Sequence, residues 1–174
     1  MNDENLKASI TLQIITNQLL QNVDKQKENT DIKLKTILDS VYEKYEKVEP
    51  GYGATHCFFN QYQMISSLYT FIVLPKETMY SSMPDCIMDN ELRNKWGLSN
   101  QEKDLKFKYL IRHMRNAISH GTIDFSKELV FCFTDENMQT KEIVKLFFTA
   151  NDLQKFINAL SYWCIKQDFE LKNY

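Results

Sequence analysis

Between residues 4 and 24, Leu6, Ile10, Ile14 and Leu20 fall at helical spacing, and the run from Asp24 to Asn29 is wholly polar; the pattern predicts a first helix and a loop. Thr30 and Asp31 cap a second predicted helix carrying Ile32, Ile37, Leu38, Val41, Tyr42 and Tyr45, which Pro50-Gly51 ends because proline cannot continue it. Thr55 opens a third helix, Cys57 to Leu74, stopped by Pro75. This one is apolar over much of its circumference, which assigns it a central place. Pro84, well suited to a first helical turn, starts a short fourth segment that runs to about Asn94.

A fifth helix is bounded by a capping box of Ser99 and Glu102 and by Gly121, a residue able to take the left-handed conformation at a helix end. It predicts roughly 31 Å of helix. The period then changes. Leu129-Val130-Phe131-Cys132-Phe133 and Ile143-Val144-Lys145-Leu146-Phe147-Phe148 are short β-favouring runs separated by the polar stretch Asp135 to Thr140, which reads as a hairpin. An isolated hairpin is marginal in water and must pack on the helices. Thr149 and Asp152 begin a last helix with Leu153, Phe156, Ile157, Leu160 and Trp163 on its apolar face.

The expected fold is therefore mainly α, a bundle of about five to six helices with one small β-hairpin before the C-terminal helix, in a single domain over residues 1–174. Composition agrees: 4 Gly and 3 Pro leave long stretches unpunctuated, and 43% hydrophobic content supplies one sizeable core. The four cysteines, Cys57, Cys86, Cys132 and Cys164, are too dispersed for a zinc ribbon or a compact disulfide framework and read as reduced thiols. The polar, acidic start lacks the basic-then-apolar plan of a secretory signal, and the most apolar stretch, Met64 to Leu74, falls short of a membrane span. A soluble, cytoplasmic protein is expected.

A formal net charge of −2 argues against bulk attraction to nucleic acid, so any contact with phosphate must be local. The fifth helix offers such a place. Phe107, Leu110, Ile111, Met114 and Ile118 share one stripe, which faces the core. The opposite face carries Lys108, Arg112, Arg115, Asn116 and Ser119, with His113 and His120 along one edge and Lys103 and Lys106 near its start. Cations are thus concentrated on one stripe of an acidic protein.

Within that stripe, Arg115-Asn116-Ala117-Ile118-Ser119-His120 resembles the signature of the HEPN superfamily: an arginine, a polar residue directly after it, three further positions, then histidine near a helix end. The preceding stretch Tyr109 to Met114 and the following Gly121 are also similar to what HEPN proteins show. The resemblance implies an all-α bundle that dimerises so that two motifs meet, and an activity as a metal-independent endoribonuclease of toxin–antitoxin or phage-defence systems. One departure stands out. In HEPN toxins paired with nucleotidyltransferase antitoxins a tyrosine lies two positions beyond the histidine, where this chain has Thr122, so regulation through that tyrosine is not carried over.

The residue types suit the chemistry. RNA cleavage without a metal uses the 2′-hydroxyl as nucleophile and needs a base, an acid and a cation for the phosphorane. His120 fills a proton-transfer role, Arg115 supplies a permanently charged fork, and Asn116 orients either of them or the phosphate; Arg112 and Ser119 are expected to bind substrate. Arg115 and His120 lie about 140° apart around the helix, so a two-fold homodimer is the natural way to gather both on one phosphate. No metal or other cofactor is expected: His113 and His120 are roughly 10.5 Å apart along the axis and cannot share an ion. The plain readings remain beside these. His120 before glycine complements the helix dipole, the lysines form a solvated face, the aromatic residues are core, and His56 is a helix-terminal residue. The rival function is a non-catalytic dimeric module of the same kind that binds RNA, a nucleotide or a protein. Phosphate-loop, serine-hydrolase and zinc-protease motifs are absent from the sequence.

Overall fold

The computed structural model describes residues 17, 20, 21, 23–25, 61–75 and 80–166. The second predicted helix, the cap at Thr55, and His56 and Cys57 lie outside the described residues. Of the first predicted helix, the described residues Asn17, Leu20, Gln21, Val23, Asp24 and Lys25 are helical, so it extends into the stretch read as a loop. Asn17 ties it to the next element, donating to Ser67 Oγ at 2.7 Å and accepting from Gln63 Nε2 at 2.8 Å.

Helix α1, Gln61–Leu68, continues as a wider π turn over Tyr69–Val73. It buries Leu68, Phe71 and Ile72 but leaves Tyr69 and Leu74 exposed, so it borders the core on one side and is not enclosed by it. Pro75 follows directly. A short helix α2, Asn90–Lys95, is capped by Asp89, whose carboxylate accepts from Leu92 N at 2.8 Å.

The long helix, α3, is Phe107–His120 and begins later than the capping box implies. Arg93 is the reason. Buried on α2, its guanidinium donates to the carbonyls of Leu98, Gln101 and Glu102, which fixes residues 98–102 as turns. Ser99 Oγ turns back to Asn94 Oδ1 at 3.3 Å instead of capping, and Lys106 is extended, bridging to Ile87. At the other end Gly121 is left-handed (φ +68°), with Thr122 N bonded to Ala117 O at 2.9 Å.

Beyond it the chain is not a mainly helical bundle. Strands β1 (Ile123–Phe125), β2 (Val130–Glu136) and β3 (Ile143–Thr149) form a three-stranded antiparallel sheet in the order β1-β2-β3, giving a mixed fold of helices and sheet. The predicted hairpin is β2-β3, paired from Val130 with Thr149 to Glu136 with Ile143. The extra strand arises because Gly121 turns the chain back alongside β2, where Thr134 N donates to Thr122 O at 3.0 Å. Three residues are too few for alternation to announce themselves in sequence.

Helix α4, Ala150–Lys166, closes the core, and Thr149 Oγ1 caps it by accepting from Asp152 N at 3.1 Å. Trp96, Phe107, Phe148, Phe156 and Trp163 meet edge-on or tilted at its centre, with Leu110, Ile111, Met114, Phe131 and Phe133. The core stripe expected of the long helix is buried as expected, from Phe107 to Ile118. Among the described residues no helix is long and apolar enough to cross a membrane. Cys86 and Cys132 are half-buried free thiols and Cys164 a buried one.

Candidate functional site

A strand exposes alternate residues to opposite faces, so Phe131, Phe133 and Asp135 of β2 share one face. The first two enter the core; the third brings a carboxylate against α3. There Asp135 Oδ2 meets His113 Nδ1 at 2.6 Å and accepts from Asn116 Nδ2 at 3.0 Å. The His113 and Asp135 side chains are 7% and 13% exposed, so this polar pair is enclosed by protein. Asn116 Oδ1 accepts in turn from Arg115 Nη2 at 3.1 Å.

Over this pair lies a pocket of about 300 Å³ between the helix and the hairpin. Tyr109, Arg112, His113, Asn116 and His120 line it from α3, and Asp135, Glu136, Asn137, Glu142 and Val144 line it from the hairpin. The helix wall is cationic and amidic; the hairpin wall is acidic. Spacing explains the helix wall, since residues 112, 116 and 120 are successive i, i+4 neighbours on one stripe and 109 and 113 form the next.

The residues singled out from sequence divide accordingly. Arg112, Asn116 and His120 come together in the pocket. Arg115 is not among the lining residues; it is bonded to the lining Asn116, with its guanidinium carbon 5.2 Å from the centre of the Tyr80 ring. Ser119 is exposed and is not among the lining residues. Lys103 and Lys106 precede the helix, and Lys106 pairs with Asp85 at 3.2 Å; Lys108 lies over Tyr80 at 5.0 Å. Thr122 is occupied at the helix end, its Oγ1 donating to the carbonyls of Ala117 and Thr134.

Three participants escaped the sequence reading. His113, placed on the edge of the polar face, is buried; Asp135, assigned to the turn, is on the strand; and Tyr109 is no mere core residue, because Arg112 lies 4.5 Å from its ring centre. Extending the alternation of Phe131 and Phe133 by one more step would have found the carboxylate. Among the described residues there is no group of three or more His, Cys, Asp or Glu side chains that could hold a metal ion.

The family model described as HEPN pEK499 p136 matches residues 1–171, nearly the whole chain. This chain belongs to that HEPN family. No curated protein and no solved structure gives a match. The stretch Arg115 to His120 singled out from the sequence falls on the last turns of α3, and its Asn116 and His120 line the pocket.

Proposed function

We propose that this HEPN protein is a metal-independent endoribonuclease in which His120 transfers a proton, Arg115 neutralises the phosphorane, Asn116 orients that arginine, and Arg112 binds an adjacent phosphate. The observation that carries the reading is the meeting of Arg112, Asn116 and His120 in one pocket, with Arg115 hydrogen-bonded to Asn116. Attack by the 2′-hydroxyl leaves a 2′,3′-cyclic phosphate and a 5′-hydroxyl, and DNA, which lacks that nucleophile, is inert. A homodimer that brings two motifs to one cleft supplies both acid and base from identical chains. A toxin or phage-defence role is the biological setting in keeping with the family.

The test is cleavage of RNA in the presence of a chelator. Loss of about 100-fold or more is expected for His120→Ala and for Arg115→Ala. Full activity in either variant removes the assignment.

A specific feature favours a second reading, a non-catalytic binding module: Asp135, Glu136 and Glu142 face the cations across the pocket and repel a second phosphate. Salt-sensitive RNA binding without cleavage products selects this alternative.

A further inference from the structure

Asn116 holds a carboxylate with one end of its amide and a guanidinium with the other. The order is directional. With Nδ2 committed to Asp135, the amide can offer Arg115 nothing but its oxygen, which is the correct partner for a donor. The same carboxylate oxygen, Asp135 Oδ2, is also held by His113 Nδ1 at 2.6 Å, in a site that is mostly excluded from water. A hydrogen bond is stronger and more directional in such surroundings.

His113 adds an independent mark. Its Nε2 is buried and has no hydrogen-bond partner among the described residues. A buried N–H without an acceptor is costly, so a neutral imidazole here carries its proton on Nδ1, toward the carboxylate. The imidazole then serves as a fixed donor to Asp135. Edge-on contact with Tyr109, at 4.0 Å between ring centres, restrains its plane.

We propose that Asp135 and His113 are positioning residues for the HEPN motif: strand β2 fixes the amide of Asn116, and through it the guanidinium of Arg115, beside the pocket that His120 lines. Neither residue belongs to the six-residue motif. The sheet is thereby part of the site, because it carries the carboxylate that the helix alone does not supply. The proposal rests on the ribonuclease reading for the use made of Arg115, whereas the hydrogen-bond chain can be tested by itself.

The experiment combines long-range ¹H–¹⁵N spectra of the imidazoles at alkaline pH, the side-chain amide signals of Asn116, and RNA cleavage, in the full-length protein. The wild type should carry the His113 proton on Nδ1. Asp135→Leu should shift the Asn116 amide signals and lower kcat about tenfold or more with KM changed less than about twofold, since a displaced guanidinium weakens the transition state more than binding. Asp135→Asn, which keeps an acceptor oxygen in place, should recover most of that loss. His113→Phe preserves the packing, gives an intermediate loss and shifts the same amide, which keeps the question decidable if Asp135→Leu does not fold. A proton on Nε2 in the wild type, an unmoved Asn116 amide in these variants, or a loss confined to KM overturns the proposal. Absence of cleavage by the wild type overturns the ribonuclease reading instead, and the imidazole and amide signals still decide the positioning.

Discussion

Arg93 and Arg115 are the same residue put to opposite uses. Arg93 is 4% exposed and spends its fork on three backbone carbonyls, at Leu98, Gln101 and Glu102. Arg115 is half-buried and has a single hydrogen bond among the described residues, to Asn116, with its face against Tyr80. A guanidinium has five donors in a fixed geometry. When backbone oxygens saturate it, the residue is a staple; when most donors remain open beside a pocket, it is available to a phosphate. Charge counted along a sequence does not distinguish the two. Hydrogen-bond accounting does.

The sharpest way to break that comparison is Arg93→Ala. Removing the fork strands buried carbonyls and frees residues 98–102, and a loss of about 3–5 kcal/mol in denaturant-measured stability is expected. A loss below about 1 kcal/mol would show that those carbonyls find other partners. Next in size is Gly97→Ala. The residue has φ +67°, and an added Cβ would lie 2.1 Å from Asp152 O, so backbone strain and collision with the start of α4 should cost roughly 2–4 kcal/mol in the same measurement.

Arg115→Ala should behave in the opposite manner from Arg93→Ala, with stability changed by less than about 1 kcal/mol while cleavage falls about 100-fold. Should both fall together in proportion, Arg115 is a second staple. A finer version concerns Arg112, whose guanidinium lies over Tyr109. Arg112→Gln should reduce the slope of log affinity for RNA against log salt by about one unit without changing the fold, as read by titration at several salt concentrations.

Burial without any charge partner has no effect at neutral pH and acts only in alkali. The Cys164 thiol is pushed up from 9.0 to about 12 by burial alone, so the folded state resists its ionisation. Below the unfolded thiol's value the group is neutral in both states and stability is untouched; as pH climbs from about 9 toward 12 only the unfolded chain ionises, and stability falls by about 1.4 kcal/mol per pH unit. At neutral pH, alkylation of the native protein followed by mass spectrometry should modify Cys132 well before Cys164.

Much of this molecule was legible in order along the chain. Local rules carried it: the stripe from Phe107 to Ile118, the left-handed Gly121, the β2-β3 pairing and the Thr149 cap each depend on residues close in sequence. The place of Arg115 to His120 at the end of the long helix was legible for the same reason, being one segment of one helix. The start of that helix was misread because Arg93, several residues upstream, claims the carbonyls that a capping box would have left to a helix. The mainly helical reading failed at β1, where three residues form a strand because β2 lies beside them.

What the sequence alone determined, then, is the core-facing stripe of the long helix, the β2-β3 hairpin and the last helix, since these follow from periodicity and local hydrogen bonding. Tertiary structure decided which polar groups meet. His113 and Asp135 are 22 positions apart, and no local rule joins an edge position of a helix to the sixth residue of a strand. Packing the sheet against α3 brings them within 2.6 Å, turning two separate polar residues into the support of the motif.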